Sequence, residues 1–154
     1  MMKKIKYMRI VVITLAILFS CSSYNISANE NTDDIIQEKI DVSENIVEEF
    51  GEEQENLELF SNVVGINWTV KNGVRKKTKR FYKKKGSHIN IDLKIYPETK
   101  SVHVGYLDAD GVKTYKTVKA KIDYNFTVQK TGYVQVFVEN SSGKTVTVDG
   151  TYIK

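Results

Sequence analysis

Cysteine, proline and tryptophan each occur once, as Cys21, Pro97 and Trp68, and there are two histidines, His88 and His103. One cysteine cannot close an intramolecular disulfide, so packing alone has to stabilise the fold. The two histidines and the cysteine show no recognisable metal-ligand spacing. No nucleophile is spaced with a base and an orienting acid, so no enzyme, no metal and no cofactor is expected. Long apolar runs are also missing. The longest, Ile10 to Phe19, is about half of the roughly twenty residues that a membrane span requires.

That short run has meaning in its context. Lys3, Lys4, Lys6 and Arg9 precede it, and small and polar residues come after it. Basic, then apolar, then small is the layout of a secretory signal peptide, here expected over residues 1–28. Two exits are open. Leu18-Phe19-Ser20-Cys21 resembles a bacterial lipobox, which would make Cys21 a lipid-attachment site. Alternatively, cleavage occurs after Ala28. The expected location is secreted or extracellular, with a membrane-anchored lipoprotein as the form that Cys21 would give.

Charge divides the rest of the chain. Residues 29–60 carry twelve acids against Lys39 alone, a net of −11, whereas residues 61–154 carry eighteen Lys and Arg against seven acids, a net of +11. This asymmetry predicts an acidic leader or linker over 29–60 and a basic domain over 61–154. Within the leader, Ile36 and Ile40, and again Ile46 and Phe50, fall on approximate helical faces. A leader that is partly helical or disordered is therefore expected, acting as a spacer or as a lid over basic residues.

In the basic part the apolar period is two. Ile89, Ile91, Leu93 and Ile95 alternate with polar residues, as do Val102 and Val104, and Ile122, Tyr124, Phe126 and Val128. Val134, Val136 and Val138 line one side of a further segment, and Tyr133 and Phe137 line the other. Turn signals recur at Pro97, at Asp108-Ala109-Asp110-Gly111, at Thr131-Gly132 and at Asn140-Ser141-Ser142-Gly143. The fold class expected is all-β, an antiparallel β-sandwich of about 7–8 strands. The stretches Phe81-x-x-x-Lys85-Gly86, Ile89-x-Ile91-x-Leu93, Asp108-x-Asp110-Gly111, Phe126-x-Val128-x-x-x-Gly132-Tyr133 and Val138-x-Asn140-Ser141-Ser142-Gly143 resemble the bacterial pre-peptidase C-terminal type of sandwich. The resemblance covers about residues 78–150. It implies the same fold and an accessory or binding role beside secreted enzymes.

The candidate binding residues are Arg75, Lys76, Lys77, Lys79, Arg80, Tyr82, Lys83, Lys84 and Lys85, eight cations in eleven positions with Phe81 and Tyr82 between them. Such a run attracts an anionic wall polymer, a lipid surface or an acidic protein, while lysines of this kind also guard sheet edges against strand addition. Nucleic acid is not expected as the ligand of an exported protein. His88 and His103 are expected to face solvent, and Asp108–Gly111 to be a hairpin turn. The function expected is a non-catalytic binding module. The alternatives are a membrane-active, toxin-like protein masked by its acidic leader, or an accessory subunit of a secreted hydrolase.

Overall fold

Alternation of apolar and polar residues gives strands that bury one face, and two such sheets can hide both apolar faces only by packing against each other. A computed structural model describes residues 34–41, 43, 45–55 and 62–154. The expected signal peptide, its cleavage after Ala28 and Cys21 lie outside the described residues.

Among the described residues there are twelve strands and no helix. The acidic part supplies β1 (Ile36–Lys39), β2 (Val47–Phe50) and β3 (Glu53–Glu55). The basic part supplies β4 (Val63–Val70), β5 (Val74–Lys77), β6 (Phe81–Lys83), β7 (His88–Tyr96) and β8 (Ser101–Leu107). It continues with β9 (Val112–Lys119), β10 (Lys121–Thr127), β11 (Gly132–Asn140) and β12 (Val146–Ile153). One sheet runs β1-β9-β8-β11-β5-β2, with β6 also on β11. The other runs β10-β7-β12-β4-β3. All pairings are antiparallel except β2 with β5.

The all-β sandwich expected from the sequence is present, with more strands than the 7–8 expected. The core lies between the sheets. Trp68, Ile89, Ile91, Leu93, Ile95, Val148 and Tyr152 from one sheet meet Val102, Val104, Val134, Val136 and Val138 from the other. Asn140, fully buried, holds the crossover between sheets. Its amide Nδ2 donates to the carbonyls of Val70 (2.8 Å) and Lys144 (2.7 Å), and its Oδ1 accepts from the Ser142 amide (3.0 Å).

The helical or disordered leader is corrected for its described residues. Apolar residues four apart share a face in a helix, but they share a face in a strand too, so Ile36/Ile40 and Ile46/Phe50 satisfy either period. Open sheet edges decide the matter, because each offers unpaired backbone groups that a strand can satisfy. β1 pairs with β9 (Ile36 opposite Tyr115), β2 with β5 (Glu48 opposite Arg75) and β3 with β4 (Gln54 opposite Gly65). The acidic segment thus closes both ends of one sheet and one end of the other.

Between β2 and β3 the chain steps from sheet to sheet across the core's single tryptophan. The Gly51 amide donates to the Lys77 carbonyl (3.0 Å), and Trp68 Nε1 donates to the Glu52 carbonyl (2.7 Å). A Cβ at Gly51 would overlap the Trp68 indole. Glycine is required there for close approach. Gly51→Ala should lower stability by about 1–3 kcal/mol through overpacking and shift Trp68 emission to the red. Urea unfolding followed by that emission checks both, and an unchanged midpoint would refute the contact.

Candidate functional site

The basic run does not form one strand. Thr78, fully buried, interrupts it. The Thr78 amide donates to the Val136 carbonyl (3.0 Å), and Thr78 Oγ1 accepts from the Val136 amide (3.0 Å). Gln135 Nε2 donates to the Thr78 carbonyl (2.6 Å). On either side of this break, β5 and β6 both pair with β11, so the eight cations fall into two groups with different surroundings.

The first group meets a counter-charge network. Arg75 is only 1% exposed, and its guanidinium holds the carboxylate of Glu139 through Nε (2.6 Å) and a second nitrogen. Arg75 also pairs with Glu48 (3.3 Å), which is hydrogen-bonded by Lys77 as well. Lys76 pairs with Glu49 at 3.7 Å. Lys113, equally buried, reaches Glu38 at 2.5 Å and Glu139 at 3.5 Å. Strand alternation places Arg75, Lys113 and Glu139 on the face turned away from the core, beside Leu107, Tyr115 and Phe137, against which Ile36 and Ile40 pack. Glu38, Glu48 and Glu49 come from the acidic strands, so those strands neutralise this half of the basic run. Arg75 is therefore not presented to solvent.

Burial raises the pKa of Glu139, but a hydrogen bond from His103 and the nearby Arg75 and Lys113 outweigh it and bring the group down to about 2. Glu48 is also held below its ordinary value, chiefly by its hydrogen bond from Lys77, against partial burial and with Arg75 adding to the effect. His103 Nδ1 lies 3.2 Å from Glu139 Oε1, and its ring lies 4.6 Å from that of Tyr115. His103 is thus half-buried in the network, and the expectation that it faces solvent is corrected. A polar residue between two core valines points to the opposite face, and here that face is covered. His88 is exposed and lies 3.3 Å from the Thr127 hydroxyl.

The second group surrounds β6. Lys79, Arg80, Lys84 and Lys85 are exposed, with no acidic side-chain partner among the described residues. The Lys79 amide donates to Glu53, and the Lys85 amide donates to the Thr131 hydroxyl (2.9 Å), which fixes the backbone at both ends. Lys83 donates to the His88 carbonyl at 2.9 Å. Phe81 turns inward and stacks on Tyr152, ring centroids 5.7 Å apart. Tyr82 turns outward and meets Tyr133 edge to face at 5.8 Å. Arg80, Tyr82 and Lys84 are all exposed. β6 is also a three-residue edge strand flanked by lysine, a poor template for strand addition.

At the β8–β9 hairpin, Asp108 Oδ1 accepts from the amides of Asp110 and Val112, both at 2.9 Å, so the expected turn is present. Sequence reasoning missed Glu139, Lys113, Glu38 and Glu48. The legible hint was Glu139, a lone carboxylate in phase with Phe137 on a strand whose other residues are apolar or neutral. No protein-family model matches the chain, and no curated protein matches it either.

Glu139 contributes stability that is fully present above about pH 4.5, its unfolded value, and lost as the pH falls toward 2, and Glu48 contributes in the same direction. Glu139→Gln should cost about 3 kcal/mol at neutral pH, because it leaves buried cations short of charge. The gap to the wild type should close as pH falls through that interval. Urea midpoints of both proteins against pH test this, and a gap that does not change with pH would contradict it.

Proposed function

We propose that the chain is an exported, non-catalytic binding module that holds an anionic ligand against the Lys79–Lys85 surface. The observation that carries this reading is the division of the basic run. Arg75, Lys76 and Lys77 have counter-charges on the acidic strands, whereas Lys79, Arg80, Lys84 and Lys85 stand in solvent with none among the described residues. Each exposed cation near an anionic surface contributes about 1 kcal/mol, so a cluster of four is enough for selective recruitment. The ligand class is an anionic wall polymer, a lipid surface or an acidic protein. Export is supported by the basic, apolar and small residues in order through Ala28. The likeness to pre-peptidase C-terminal sandwiches supports the same accessory role.

Among the described residues, the acidic strands are hydrogen-bonded into the sheets and Lys79, Arg80, Lys84 and Lys85 are exposed. This favours a surface that is always available over one masked by a removable leader.

Calorimetric titration of the full chain with inorganic polyphosphate tests the reading. Affinity should fall by about tenfold as salt rises through the physiological range, where screening shortens to roughly 8 Å. Serine at Lys79, Arg80, Lys84 and Lys85 together should abolish binding, whereas serine at Lys76 should have little effect. Salt-independent binding to a neutral glycan would overturn the proposal.

A further inference from the structure

Among the described residues, four large hydrophobic side chains are more than half exposed: Val47 at 60%, Phe50 at 71%, Tyr82 at 56% and Tyr133 at 57%. All four lie on β2, β6 and β11, beside the basic run. Phe50 stands opposite Lys77 in the parallel β2–β5 pair, and Lys77 stands opposite Phe137 on β11. Tyr133 is in phase with Phe137 on the same strand and opposite Tyr82. Strand alternation therefore puts Phe50, Tyr82 and Tyr133 on one face, the one turned away from the core. Tyr133 is displaced from the Phe50 row by about 13 Å along β11 and about 10 Å across two strand spacings. Phe137, in the same row as Phe50, is covered together with Leu107 and Tyr115, the cluster on which Ile36 and Ile40 pack, whereas the rings of Phe50, Tyr82 and Tyr133 are open.

We infer that this face docks on an anionic lipid surface, with Phe50, Tyr82 and Tyr133 entering the headgroup boundary and Lys79, Arg80, Lys84 and Lys85 meeting lipid phosphates. The inference rests on the anionic-ligand reading above and names its ligand. Charge complementarity restricts the occupant to something anionic. Phe50 then separates a lipid surface from a soluble polyanion. Its ring carries no hydrogen-bonding group and gains nothing from a hydrated polymer, but it gains apolar contact at an acyl boundary. Tyrosine, with an apolar ring and a polar tip, suits the same depth. The neighbouring Glu48 does not repel such a surface, because Arg75 and Lys77 already neutralise it. Lys77 also lies over the Phe50 ring, its Nζ 5.4 Å from the centroid, and so holds the ring beside β5.

Co-sedimentation of the full chain tests this with two vesicle compositions, phosphatidylcholine alone and phosphatidylcholine mixed with phosphatidylglycerol. Polyphosphate titration runs in parallel. The wild type is compared with a variant combining Phe50→Ser and Tyr133→Ser, and with a control combining Tyr96→Ser and Ile153→Ser elsewhere on the sandwich. The apolar run at residues 10–19 is common to all three and cancels in the comparison. The expected result is that the double variant loses about tenfold or more in affinity for acidic vesicles, keeps its polyphosphate affinity and keeps buried Trp68 emission, while the control matches the wild type. If the double variant loses that emission, Phe50→Ser alone gives the same reading. Equal vesicle binding by variant and wild type would overturn the lipid assignment. So would polyphosphate binding without vesicle binding, which leaves the anionic-ligand reading standing. Binding to neither would overturn both.

Discussion

A guanidinium buried on the non-core face of a sheet needs its charge answered, and Arg75 sets that requirement for the whole molecule. Glu139 answers it directly, but Glu139 also serves Lys113, so one carboxylate faces two buried cations. Stripping water from an ion pair costs several kcal/mol per charge unless geometry and further partners compensate. The missing charges come from outside the basic part of the chain, as Glu48 beside Arg75 and Glu38 beside Lys113. These two glutamates lie on opposite edges of the seven-stranded sheet, on β2 and β1. The same acidic stretch therefore balances both ends of the network and covers both open edges. Backbone pairing and charge pairing specify one placement.

The division at Thr78 gives two roles to residues that are neighbours in sequence. Before it, cations are structural and find carboxylates. After it, they are left to water beside an aromatic pair. Thr78 and Gln135 achieve this with hydrogen bonds that do not depend on charge. The exposed basic residues after Thr78 can thus change their charges without disturbing the network that holds β5 in place. The core beneath both groups is the same row of β11 valines.

Much of the sandwich was legible in the sequence. β7, β8, β10, β11 and β12 show their period of two, β9 does not, and the turns at Pro97, Asp108–Gly111 and Asn140–Gly143 carry the residues that turns require. What was not legible depends on contacts between distant segments. β5 has four residues, three of them cationic, and nothing local marks it as a strand. β1 and β2 carry apolar residues at a spacing that serves helix and strand alike, and only the edges of β9 and β5 choose between them. The candidate site was half legible. A dense basic run with a tyrosine inside it stood out, but its partition did not, because composition cannot say which cation lies opposite a glutamate many residues away. His103 was misplaced for the same reason: alternation gives its face, but not what covers that face.

The chain meets its partners in an inconvenient order. The acidic strands come early in the polypeptide, yet β1 pairs with β9 and β2 with β5, both made later. Chain emerging in order from a ribosome presents these strands before any sheet edge exists to receive them. Non-local pairing of this kind slows folding and leaves strands unsatisfied in the interval. Their density of glutamate and aspartate suits that wait, since like charges keep unpaired strands apart from one another. The acidity that balances Arg75 and Lys113 in the finished fold thus also suits β1 and β2 to the interval before β5 and β9 are made.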